Sequence, residues 1–106
     1  MVKIPEKYFS YFKKVGTVKV YRKRQIIYLQ NDSADALYLI LSGRVRVFNT
    51  TVTGKETTLE IVEKGRIFGE SSFLGEYRRP TTVEAVNTVT LVSCSIENQS
   101  TRQGSA

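Results

Sequence analysis

A chain of 106 residues, 41% hydrophobic and 25% charged, suits a single soluble domain with one modest core. It holds no histidine and one cysteine, which excludes an intrachain disulfide, histidine-ligated zinc, cupin-type metal sites and hydrolases with a histidine base. Its net charge of +6 sits in separate clusters, Lys13-Lys14, Arg22-Lys23-Arg24, Arg44 with Arg46, and Arg78-Arg79, so a solvated basic surface is expected rather than a nucleic-acid face.

The first residues, Met-Val-Lys-Ile-Pro-Glu-Lys, lack the apolar stretch of a signal peptide, and no apolar run is long enough to span a membrane. The cytoplasm is the expected compartment. Residues 5–14 open on Pro5 and Glu6 and end on two lysines, the polarity a helix prefers. Tyr8, Phe9 and Phe12 give that short helix one apolar face, and Gly16 stops it. Residues 17–21 and 25–29 read as strands. Asn31-Asp32-Ser33-Ala34-Asp35 is turn chemistry. Residues 36–41 form a nearly continuous apolar run, as in a strand covered on both faces, and Ser42-Gly43 interrupts it. Residues 44–48 alternate, Thr53-Gly54-Lys55 is a hairpin turn, and residues 57–62 form the next strand with Leu59 and Ile61 on one face. Lys64-Gly65 turns into Arg66-Ile67-Phe68. Two further strands are expected over 81–86 and 89–96. Cys94 lies in an apolar run and reads as a small core residue. Roughly eight short strands with glycine turns predict a closed or rolled β structure.

The densest chemistry lies at residues 68–85. Gly69 permits a sharp turn and a close backbone approach. Glu70-Ser71-Ser72-Phe73-Leu74 is long enough for about one helical turn, and Gly75 is placed to end it. The free N–H groups at the start of such a turn suit an anion. Arg79 follows a short loop and opens a strand that carries Thr82, Val83, Glu84 and Ala85. A turn with open N–H groups and a returning arginine together make a phosphate cradle.

This string, Gly-Glu, two small residues, two apolar ones, a loop, then Arg-x-Thr-Thr-Val-x-Ala, resembles the phosphate-binding cassette of cyclic nucleotide-binding domains. These include the effector domains of Crp/Fnr transcription regulators. Leu37-Tyr38-Leu39-Ile40-Leu41-Ser42-Gly43-Arg44-Val45 is similar to the family's apolar run, and the turns at Gly54, Gly65 and Gly69 match as well. The resemblance covers about residues 17–96. It implies an all-β fold, an antiparallel β-roll (a double-stranded β-helix of about eight strands). A short N-terminal helix would precede it, and a one-turn helix would lie in the cassette at residues 70–74. The domain would occupy residues 1–96. Residues 97–106 are too polar to order themselves and read as a disordered tail.

The resemblance also implies roles. Glu70 would accept a hydrogen bond from a ribose 2′-hydroxyl; the plainer reading is an acid at a helix N-terminus, worth about 0.3–1 kcal/mol. Gly69, Ser71 and Ser72 would offer backbone N–H groups to sugar and phosphate. Arg79 would pair with the phosphate oxygens; otherwise it needs an internal ion pair, with Glu70 as a candidate. Arg78 reads as solvated. Thr81 and Thr82 would add hydroxyls, and Val47, Ile61 or Val83 apolar lining. Three positions depart from the family pattern. Pro80 has no N–H to offer a phosphate, and Arg24 and Asn31 stand where the family often has glycine in turns.

The expected function is a non-enzymatic sensor of a small anionic ligand, cAMP or cGMP, with no cofactor and no membrane partner. In the family a long helix follows the roll and dimerises the protein, and a DNA-binding domain follows that helix. Neither is present in this sequence, so DNA contact is expected only through a missing domain, with homodimers in a full-length protein and a monomer or weak dimer here. The chain reads either as a truncated piece or as a sensor module alone. The rival is a roll that has lost its ligand and serves as a protein-interaction scaffold, or that senses a non-nucleotide anion. A cupin-type enzyme and a haem sensor are disfavoured by the absence of histidine.

Overall fold

Antiparallel strands build most of the chain from Thr17 to Ser95. The computed structural model describes residues 3–70 and 77–95. A 3-10 turn, Glu6–Tyr8, leads into helix α1, Phe9–Val15. The strands are β1 Thr17–Tyr21, β2 Ile26–Tyr28, β3 Ala36–Ser42, β4 Arg44–Thr50, β5 Glu56–Glu63, β6 Ile67–Phe68, β7 Thr82–Ala85 and β8 Val89–Ser95. They form two four-stranded sheets, ordered β1-β8-β3-β6 and β2-β7-β4-β5, and all strand pairings among the described residues are antiparallel. This is the expected roll. Most of the one-turn helix expected at residues 70–74, the residues Ser71 and Ser72, and the tail 97–106 lie outside the described residues. Among the described residues no helix is long and apolar enough to cross a membrane.

The main core draws on both sheets: Tyr28, Val45, Val62, Val83 and Ala85 from one, and Ala36, Tyr38, Ile40, Phe68, Val89 and Leu91 from the other. Each fully buried aliphatic side chain contributes about 1.5–3 kcal/mol. A second cluster lies on the outer face of the first sheet, where Phe9 packs on Leu39 and Val92, with Phe12 and Cys94 beside them. β3 is thus covered on both faces, which is why its sequence shows no polar alternation. Within the helix, Phe9 is buried and Phe12 half-buried, whereas Tyr8 remains 49% exposed and adds little to the packing. Burial pushes the Cys94 thiol pKa up, as for an inert packing residue.

Gly16 ends α1 by a steric route. Its backbone is extended, and a Cβ there would sit 2.5 Å from Val92 Cγ1 and 2.7 Å from the Ser93 carbonyl oxygen. The helix end can approach β8 only because that position is bare. Arg24 and Asn31 both hold positive φ, 73° and 76°. The turns that carry them therefore take the conformation for which glycine is the usual choice. Arg46 is not a free surface cation: it bonds Glu56 at 2.8 Å and Glu84 at 3.1 Å, and stacks 3.9 Å from the Phe48 ring centre.

Candidate ligand-binding site

The end of β6, the start of β7 and the strands β2, β4 and β5 converge on a cavity of about 100 Å³. Phe68, Gly69 and Glu70 line it from β6, Pro80 and Thr81 from the approach to β7, Tyr28 from β2, Val47 from β4, and Glu60 and Val62 from β5. Gly69 is buried at φ +78°, and a Cβ there would lie 3.0 Å from both Arg79 Nη1 and the Tyr38 ring. A side chain at that position would meet the arginine as well as the backbone strain of left-handed φ. Glu70 is exposed at the cavity edge.

Arg79 is 1% exposed. It does not line the cavity but lies one layer behind it. Nη1 donates to the Gly69 carbonyl at 2.9 Å and Nη2 to the Ala36 carbonyl at 2.7 Å. The guanidinium carbon is 4.1 Å from the Tyr28 ring centre and 5.7 Å from that of Tyr38. Nε is buried and has no hydrogen-bond partner among the described residues. No carboxylate within 4 Å pairs with this cation among the described residues, so the internal ion pair with Glu70 that the sequence suggested as an alternative does not form. Backbone bonds fix its position: Arg79 N–H donates to the Asp32 carbonyl and Asn31 N–H to the Arg79 carbonyl, both at 2.8 Å. Arg78 is exposed and donates to the Asn31 carbonyl.

The two tyrosine rings beside the guanidinium join Phe68 to fill the roll next to the cavity. Tyr38 stacks on Phe68 at 5.0 Å between ring centres, and Tyr28 lies 5.8 Å from Tyr38 and 6.1 Å from Phe68. Burial pushes the Tyr28 pKa up to about 12, with Arg79 and a hydrogen bond from Thr81 working the other way. Burial raises Tyr38 too. The two phenols therefore stay neutral over the ordinary pH range.

The two threonines part company. Thr81 faces the cavity, whereas the Thr82 hydroxyl accepts a 2.9 Å bond from Gln30 N–H and lines a separate surface groove of about 460 Å³. A third recess, about 430 Å³ between Lys3, Phe9 and Lys64, holds no cassette residue. Of the apolar lining considered from sequence, Val47 lines the cavity, Ile61 is 45% exposed, and Val83 is fully buried in the core. β5 instead turns Glu60 and Val62 inward. Its run Leu59-Glu60-Ile61-Val62 has apolar residues in both phases, so alternation could not choose between them. A register shift between Val47 and Phe48, which skips Leu59 in the pairing, accompanies the observed choice. Tyr28 and Phe68 were also missed, since nothing local marks an aromatic as a cavity wall.

Comparison with known proteins gives the family and agrees with the fold. The family model for the cyclic nucleotide-binding domain matches residues 18–103. The cyclic AMP receptor protein of Thermus thermophilus is 38% identical over 84 residues, 79% of this chain and 37% of that protein. The crystal structure of the Thermus thermophilus catabolite activator protein superposes with a TM-score of 0.77 at 32% identity, covering 90% of this chain and 45% of the other. The half-site-occupied form of the EAL enzyme Bd1971 superposes with a TM-score of 0.72 at 30% identity, covering 86% of this chain and 81% of that one. The chain thus spans less than half the length of the receptor and activator it matches. With the match running from β1 past β8, through a two-sheet roll whose cassette delivers Gly69, Glu70 and Arg79, this chain belongs to the cyclic nucleotide-binding domain family and is related to the Crp-type regulators.

Proposed function

We propose that this chain is a non-enzymatic sensor domain that takes a cyclic nucleotide at the cavity between Gly69-Glu70 and Pro80-Thr81. The observation that carries the reading is Arg79. A guanidinium buried to 1% exposure, without a carboxylate among the described residues and with Nε unpartnered, is a cation held in readiness for an anion. Glu70, at the cavity edge, would accept from the ribose 2′-hydroxyl, and the Gly69, Ser71 and Ser72 backbone would meet sugar and phosphate. Thr81 would add a hydroxyl; Thr82, bonded to Gln30, would act by holding the cassette in place.

The cavity of about 100 Å³ is smaller than the ~300–1,000 Å³ usual for small-molecule sites. The ligand would therefore favour a wider arrangement, with Arg79 drawn off its two carbonyls toward the phosphate. That change is a population shift which a neighbouring segment of a longer regulator would read. In such a regulator DNA would be contacted by a separate domain in the cytoplasm, with two copies paired.

A ligand-free interaction scaffold is the second reading. The small cavity and Pro80, which lines it without an N–H, favour it. Calorimetric titration with cAMP and cGMP separates the two. Charge-assisted bonds of roughly 1.5–3 kcal/mol predict that Arg79→Ala weakens binding about ten- to a hundredfold. Arg78→Ala should change it less than about threefold, as for a solvated neighbour. Pro80→Ser should strengthen binding if the lost donor limits it. Equal losses at Arg78 and Arg79 would reduce the attraction to diffuse charge, and no binding by parent or Pro80→Ser would leave the scaffold.

A further inference from the structure

One wall of the cavity is built by β4 and β5, and among its described residues one polar side chain, Glu60, projects from it. Val47 and Glu60 are register partners there, with Val62 beside them. Glu60 lines the same cavity as Gly69, Glu70, Pro80 and Thr81. Its Oε1 accepts a bond from Arg66 Nη2 at 3.3 Å, which orients the carboxylate from the outside. A carboxylate is an acceptor with about four lone-pair sites, so a single bond from Arg66 leaves it able to take more donors. Arg66 itself stands just before β6, which ties the orientation of Glu60 to the strand that delivers the cassette.

Resting on the sensor reading above, we infer that Glu60 sets the base preference of the site and selects guanine over adenine. With ribose and phosphate placed at Glu70 and Arg79, the base extends toward the opposite wall, where Tyr28 and Phe68 supply apolar lining and Glu60 acceptor oxygens. Guanine presents two adjacent donors on its pairing edge, N1–H and N2–H. A carboxylate takes both at once. Adenine presents one donor, N6–H, next to the N1 lone pair, which would face a carboxylate oxygen without a proton between them. A partner group that goes unmatched at a polar site is where discrimination becomes large. An amide reverses the complementarity, since its oxygen accepts from N6–H while its NH₂ donates to N1; the same donor–acceptor match, made to N6 and N7, lets Gln and Asn read adenine in DNA.

The test is calorimetric titration of the 106-residue chain with cGMP and cAMP, for the parent, Glu60→Gln and Glu60→Ala, after circular dichroism confirms that each variant is folded. The parent should bind cGMP at least about tenfold more tightly than cAMP, roughly the value of one lost hydrogen bond to a charged group. Glu60→Gln should move that ratio toward cAMP by about tenfold or more, and Glu60→Ala should bring it near unity. Cyclic IMP, which keeps N1–H but lacks the 2-amino group, should fall between the two nucleotides with the parent. A parent that binds cAMP as tightly as cGMP, or a ratio that Glu60→Gln leaves unchanged, overturns the base assignment and leaves the sensor reading standing. Heat from neither nucleotide with the parent overturns both.

Discussion

A guanidinium taken out of water costs several kcal/mol unless its donors are met and its face is covered. Arg79 meets part of that cost through the carbonyls of Gly69 and Ala36 and the ring of Tyr28. Its place beside the cassette was legible because Arg-x-Thr-Thr-Val follows the Gly-Glu turn. Its partners were not, because Ala36 lies 43 residues away in sequence and reaches it only through the roll. Arg79→Ala withdraws both bonds and leaves a void, so it should cost about 2–4 kcal/mol in urea unfolding. Arg78→Ala, on an exposed side chain, should cost under about 1 kcal/mol. Tyr28 gives a second test. Its pKa rises from 10.0 to about 12 on folding, mainly through burial. Below pH 10 the phenol is neutral in both states and its contribution is fully present. As pH rises from about 10 to 12 the unfolded chain ionises first, and that stability is lost, on the order of 2–3 kcal/mol. Urea unfolding at pH 8 and pH 11.5 should show a larger alkaline loss for the parent than for Tyr28→Phe. Equal losses would mean that the phenol is not held neutral by burial.

Among the elements, β3 was the plainest in sequence, because an apolar run bounded by turn residues fits a strand covered on both faces, and helix α1 on one face and the opposite sheet on the other cover it as that reading requires. β5 was the least plain, since its inward phase depends on the partner strand's register rather than on its own pattern. The turns fall between these cases. Arg24 and Asn31 depart from glycine in sequence, and both hold φ above +70°. The left-handed conformation costs an ordinary residue about 1–2 kcal/mol, and asparagine less than arginine. Arg24→Gly should therefore stabilise the domain by up to about 1 kcal/mol, after the extra freedom of glycine in the unfolded chain is set against the relief. Asn31→Gly should gain less. Chemical denaturation of both variants checks the order, and a destabilised Arg24→Gly would show that the Arg24 side chain holds the turn by a contact worth more than the strain.

At the scale of the whole molecule, the candidate site is the place where the two sheets meet the cassette. Its walls come from β2, β4 and β5 of one sheet, from β6 of the other, and from the segment entering β7. These separate segments meet only in the folded chain, so a ligand held by all of them binds the folded state alone. Linkage then fixes the size of the effect. At a free concentration of one hundred times Kd, binding adds about 2.7 kcal/mol to the stability of the fold. For a domain of this size each kcal/mol moves Tm by about 4–8 °C, so the shift should be roughly 10–20 °C. The expected result is a Tm that climbs with the logarithm of cyclic nucleotide concentration and responds much less to inorganic phosphate, which would pair with Arg79 in the wider arrangement but has no sugar or base to engage Glu70, Tyr28 or Glu60. Arg79→Ala, already less stable, should also lose most of the climb. A Tm that stays fixed at millimolar cyclic nucleotide would place the function of this roll on its outer surface rather than in its cavity.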